Sequence, residues 1–164
     1  MTPNACDSDQ PSEHASRDGP QHTGSICRVP LRWLDFDSQG HVHHAVALAL
    51  VDEARSKWFE AQFDDAHTDY VIARVEADYH RPIDRSMTHV DIAIHLTGIG
   101  SKSMRFDETA AGPDGALLFS SRCWVVVWDR PSARTRLLRT EEHLKLNRVL
   151  SHDGRAITKK RESQ

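Results

Sequence analysis

A chain of 164 residues is long enough for one hydrophobic core and too short for two. With 38% hydrophobic residues, 27% charged residues and a formal charge of −3, it reads as soluble, and nothing in that balance calls for a nucleic acid or an anionic membrane as partner. No apolar run approaches the roughly 20 residues that span a bilayer, and Met1 to Gln21 lacks the basic-then-apolar order of a secretory signal.

Residues 1–24 mix Pro, Gly, Ser, Asp and His with no apolar period and are expected to form a disordered arm. Ile26 to Trp33 reads as a strand. From about His43 to Phe63, Val46, Leu50, Val51, Ala54, Trp58 and Phe59 fall near helical spacing, with Asp52, Glu53, Arg55, Lys57 and Glu60 on the opposite face. The pattern then switches to period two. Val71, Ala73 and Val75 alternate with polar residues up to Tyr79, and Pro82 ends that run. Val90, Ile92, Ile94 and Leu96 alternate as cleanly, giving a half-buried strand. Gly98 and Gly100 mark a turn before a strand over Ser101 to Ala111, and Gly112-Pro113-Asp114-Gly115 is a second turn. Leu117 to Trp128 is apolar enough to read as a central strand buried on both faces. Thr140 to Leu150 reads as a short helix with Thr140 as N-cap and Leu144, Leu146 and Leu150 as packing residues, followed by a basic flexible tail over residues 151–164. The sum is an α+β domain over residues 25–150, one long helix on a curled antiparallel sheet.

Cysteine usage adds little. Cys6, Cys27 and Cys123 are odd in number and widely spaced, so neither a disulfide framework nor a zinc knuckle is implied, and a reducing cytoplasm fits.

The chemistry concentrates in Arg32-Trp33-Leu34-Asp35-Phe36-Asp37-Ser38-Gln39-Gly40-His41-Val42-His43-His44, directly before the long helix. A carboxylate there either caps free backbone N–H groups or attacks a carbonyl carbon, itself or through water. The N–H groups at the helix entrance would then hold the oxyanion, and Gly40 would let a ligand approach the backbone. The run His41-Val42-His43-His44 lacks the spacing of a zinc-hydrolase motif, so no metal is expected.

Arg32-Trp33-x-Asp35-x-Asp37-x-x-Gly40-His41-Val42, followed by Glu53-Ala54-Arg55 in the helix, resembles the signature of hotdog-fold acyl-CoA thioesterases of the 4-hydroxybenzoyl-CoA thioesterase type. Asp78-Tyr79-x-x-Pro82 is similar to that family's aromatic-to-proline strand end. Ile99-Gly100-Ser101-Lys102-Ser103 is similar to its glycine–basic–serine strand entry, and Trp124 to Asp129 to its final long strand. The resemblance covers about residues 26 to 150.

It implies a hotdog fold, a long central helix wrapped by a curled antiparallel sheet, assembled as a homodimer or homotetramer with active sites between protomers. It implies acyl-CoA as substrate, or an acyl carrier protein thioester, with no cofactor. Asp37 would be nucleophile or general base and Asp35 support. The amide of His44, aided by that of His43, would be the oxyanion donor. His41, His43 and Tyr79 would bind substrate, the side chains of His43 and His44 facing either the acyl group or solvent, and Gly100, Ser101, Lys102 and Ser103 would meet the CoA moiety, Lys102 at a phosphate. Family members often carry Asn where this chain has His43 and His44, which predicts a rate that depends on pH near neutrality. The same resemblance admits a non-catalytic hotdog domain that binds acyl thioesters or a protein partner, and a hydratase or dehydratase on a related fold.

Overall fold

The computed structural model describes residues 25–63 and 68–161, with side chains to residue 151. The expected N-terminal arm, with Cys6, lies outside the described residues. Strands β1 (Ser25–Pro30), β2 (Tyr70–Tyr79), β3 (His89–Ile99), β4 (Ser103–Ala111), β5 (Leu117–Asp129) and β6 (Arg134–Thr135) are joined by helices α1 (His44–Phe63) and α2 (Thr140–Arg161). The sheet order is β1-β3-β4-β5-β2 with β6 on β5, and every pairing is antiparallel. It curls round α1 in the hotdog arrangement. Among the described residues no helix is long and apolar enough to cross a membrane.

The helix forms where the 3.6-residue period places it. Ala47, Leu50, Val51, Ala54, Trp58, Phe59 and Phe63 are buried along one face of α1. Trp58 and Phe59 meet Phe106 of β4 edge-on at 5.0 and 5.7 Å, and Phe59 stacks on Tyr70 of β2 at 4.4 Å. Arg55, expected on the solvated face, is instead on the core side and only 2% exposed. Its Nε donates to Glu108 Oε1 at 2.7 Å, Glu108 Oε2 accepts from Ser121 Oγ at 2.6 Å, and Asp52 accepts from the same guanidinium at 2.6 Å. A carboxylate on β4 thus satisfies the buried guanidinium. Beside it, burial pushes the Cys123 thiol up to about 11, so Cys123 serves as a small core residue.

The strands show where period-two reading succeeds and where it fails. In β3, Val90, Ile92, Ile94 and Leu96 are all at or below 1% exposure, as alternation predicts. In β2 the phase changes. Ile72 pairs with Val125 and Arg74 with Trp124, leaving Ala73 as a bulge, so Tyr70, Val75 and Ala77 face the core while Val71 and Ala73 are exposed. Gly98 lies within β3 at a second bulge rather than in the turn, where Arg105 bonds Thr97 Oγ1 and O. In β5 only one face is fully buried. Trp124, Val126 and Trp128 on the other are half-exposed.

Two ends also differ from expectation. β1 stops at Pro30, because residues 33–35 close a 3₁₀ turn in which the Asp35 carboxylate accepts from the Arg32 amide at 2.7 Å. Thr140 is the first helical residue of α2 rather than its cap. Glu142 Oε2 accepts from the Arg139 amide at 2.7 Å, and the Arg139 carbonyl starts the helical ladder. Leu146 is buried and Leu150 half-buried, but Leu144 is exposed, and α2 continues past Leu150 to Arg161.

Candidate active site at the start of the long helix

Residues 36–42 form a tight hairpin. Phe36 and Val42 bridge, the Asp37 amide donates to the His41 carbonyl at 2.8 Å, and the Gly40 amide donates to the Asp37 carbonyl at 3.1 Å. Gly40 sits at φ 81°, the left-handed region, which explains the glycine. The Arg85 side chain packs beside it, its Nε 3.5 Å from where a Cβ would stand. Arg85 clamps the hairpin, its guanidinium over the Trp33 ring at 4.5 Å, and the Val42 amide donates to the Ile83 carbonyl at 2.8 Å.

Inside this hairpin the two aspartates part ways. Asp35 is occupied by the Arg32 amide. Asp37 Oδ1 accepts from the amides of His41 at 3.1 Å and Gln39 at 2.8 Å. The His41 amide bond, reinforced by the Gln39 amide against partial desolvation, holds the Asp37 carboxyl below the usual carboxylate range. Asp37 is therefore ionised at neutral pH.

The helix begins with an imidazole as its cap. His43 Nδ1 accepts from the Ala45 amide at 3.3 Å, and the His43 carbonyl accepts from Val46 and Ala47 at 2.9 and 3.0 Å. That bond requires a bare Nδ1, so His43 does here what Asn or Asp does at other helix starts. Among the described residues no acceptor bonds the His44 amide, which is left at the positive end of α1. We expect His43→Ala to lower the unfolding free energy by about 1 kcal/mol and His43→Asn to restore it, read from urea unfolding curves.

Next to this helix start is an open cleft of about 260 Å³, lined by His41, Val42, His44, Ala47, Tyr79, His80, Arg81, Pro82, Ile83, Leu118 and Phe119. The Tyr79 hydroxyl donates to the His44 carbonyl at 3.2 Å, and desolvation pushes its pKa up, which keeps it a donor. His80 Nε2 pairs with Ser120 Oγ at 2.8 Å. The structure thus gathers His41, His44 and Tyr79 in one cleft. Asp37 and Gly40 stay in the adjoining hairpin, joined to the cleft through the Asp37–His41 bond, and His43 is exposed beside it.

Gly100, Ser101, Lys102 and Ser103 are elsewhere. They form the β3–β4 turn, fastened by Gly100 to Ser103, Val127 to Lys102 and Leu138 to Ser101 backbone bonds. The hairpin adjoins the His89 end of β3 and the turn its Ile99 end, about 30 Å along the strand. Within one chain they do not meet. His80, Arg81, Leu118 and Phe119 were not anticipated. The first two are the unspecified pair in Asp78-Tyr79-x-x-Pro82, and Phe119 enters because it is the register partner of Tyr79. Among the described residues no group of three His, Cys, Asp or Glu side chains is placed to hold a metal.

No curated protein matches the sequence. A thioesterase from Thermus thermophilus, crystallised with coenzyme A and Zn, is similar at 26% identity over 77% of this chain and 93% of its own, with a TM-score of 0.69. A predicted thioesterase from Bacillus stearothermophilus is similar at 19% identity over 76% and 95%, TM-score 0.68. A hypothetical protein from Staphylococcus aureus in complex with CoA shares the fold at 8% identity over 78% and 84%, TM-score 0.70. The family model of the Thioesterase-like superfamily matches residues 31–151, a span that holds the Asp37 hairpin, α1 and the whole cleft, and the chain belongs to that superfamily.

Proposed function

We propose that this protein hydrolyses acyl-CoA thioesters to a free acid and CoA, with an acyl carrier protein thioester as the other substrate form. One observation carries the reading: an ionised Asp37 stands in the hairpin that adjoins a cleft lined by His41 and His44, and among the described residues the His44 amide has no acceptor. With Oδ1 held by two amides, the other carboxylate oxygen either attacks the thioester carbon or takes a proton from the water that does. The carbonyl oxygen gains negative charge as the bond forms, and the His44 amide with the α1 dipole stabilises it. Collapse expels the CoA thiolate, and hydrolysis is complete once water has supplied the acid oxygen. The subtype named for 4-hydroxybenzoyl-CoA is part of this proposal.

The assembly we propose is a homodimer joined through β2, or a tetramer of such dimers. Among the described residues β2 pairs with β5 alone, and it exposes Val71, Ile72 and Tyr79. Antiparallel pairing of two β2 edges would set the Tyr70 end of one copy beside the Tyr79 end of the other. The Gly100–Ser103 turn lies at that Tyr70 end, through β5, so a second copy would deliver its turn to this cleft. Ile72→Lys is expected to give monomers by light scattering and to cost most of the activity.

The test is release of free thiol from a panel of aliphatic and aromatic acyl-CoAs. Thiol and free acid in equal amounts are expected. CoA binding without thiol release would indicate a non-catalytic binding domain, and an enoyl product a hydratase. The acid limb of kcat/KM checks the base. Because the Asp37 carboxyl is depressed in pKa, the rate holds as pH falls through the ordinary carboxylate range and is lost only below it. Loss between about pH 5 and 8 reports an imidazole instead, which is the outcome the His43–His44 pair predicts on sequence grounds.

A further inference from the structure

Resting on the thioesterase reading, we propose that the cleft selects acyl groups that end in a carboxylate, and that Arg81 is the residue that recognises them. The cleft lining combines apolar and polar residues. Val42, Ala47, Ile83, Leu118 and Phe119 give apolar surface suited to methylenes. The polar residues of the lining are His41, His44, Tyr79, His80 and Arg81, and none is an Asp or Glu.

Arg81 is held in place by its backbone. The Leu118 carbonyl accepts from both the His80 amide at 2.9 Å and the Arg81 amide at 3.1 Å, so the chain leaves β2 with Arg81 set on the cleft wall. Its guanidinium forms no ion pair among the described residues. Other arginines around the site are already used: Arg32 on Glu53, Arg85 on the Trp33 ring. An exposed arginine with no ion pair among the described residues, in a lining that adds apolar side chains and no carboxylate, matches an acyl chain with a terminal anion. A planar guanidinium also fits a carboxylate in two parallel hydrogen bonds, which adds directional preference to charge.

A CoA phosphate offers the same anionic chemistry, and the experiment separates the two sources. Glutaryl-CoA and pentanoyl-CoA have acyl chains of equal length and differ in the terminal carboxylate, while their CoA is identical. We expect the protein to favour glutaryl-CoA about tenfold in kcat/KM and Arg81→Met to reduce that ratio to near one, with Arg81→Lys retaining part of it. An unchanged ratio in Arg81→Met, or no preference in the unaltered protein, would overturn the proposal. An equal fall on both substrates would also overturn it, by placing the guanidinium on the CoA moiety. If neither thioester is cleaved, the thioesterase reading fails by itself. The ratio of the two binding constants, measured calorimetrically with and without Arg81→Met, then decides the subsite.

Discussion

Asp37→Asn is expected to lower kcat for thioester hydrolysis by a factor of about 10²–10⁴, the range a positioned base supplies, while leaving the fold intact. Asparagine keeps an Oδ1, so the bonds from the Gln39 and His41 amides that close the hairpin persist. What disappears is the second oxygen with its charge, which an amide nitrogen cannot replace as nucleophile or proton acceptor. Asp35→Asn is the contrast, since the Asp35 carboxylate is spent on the Arg32 amide and its loss affects the 3₁₀ turn rather than the reaction. Thiol release from the best acyl-CoA of the panel measures the first effect, and thermal unfolding of each variant verifies the fold. Full activity in Asp37→Asn would move the chemistry to another group.

The second large effect is on stability. Glu108→Ala should cost about 3–5 kcal/mol, because it strands the Arg55 guanidinium in the core. Burial works against charge on Arg55, but the hydrogen bond and charge of Glu108 outweigh it and hold the guanidinium above its ordinary range. The Ser121 hydroxyl loses its acceptor in the same substitution. Asp52, half-exposed at the helix surface, cannot take over alone. The double change Arg55→Met with Glu108→Leu removes both charges and should recover most of the loss. Urea unfolding of the two single variants and the double variant measures the coupling. Additive costs would show that the pair is not acting as a unit.

These two predictions mark how far the sequence is legible. α1 could be read because its period is local and each buried residue stands three or four places from the next. The partner of Arg55 is 53 residues away, so nothing near Arg55 signals that it turns inward. β3 alternates from Val90 to Leu96, ahead of its bulge, and is legible there. The bulge at Ala73 reverses the phase of β2, and single-residue bulges leave no trace in alternation until the register with β5 is known. Likewise the hairpin residues Asp37 and Gly40 could be singled out by motif, but the cleft wall could not. Arg81 and Phe119 become neighbours only through the β2–β5 ladder.

That ladder also sets when the site can exist during synthesis. Asp37, the α1 N-terminus and the Tyr79–Pro82 wall are all made early, yet among the described residues β2 has no strand partner other than β5. Until residues 117–129 have emerged, β2 lacks its ladder with β5 and Leu118 is not there to hold His80 and Arg81. The nascent chain therefore carries its proposed catalytic carboxylate long before it carries a cleft. Closing this β2–β5 pairing spans a long loop and is slow relative to helix formation. Acquisition of the binding site should coincide with β5 docking, among the last events of folding.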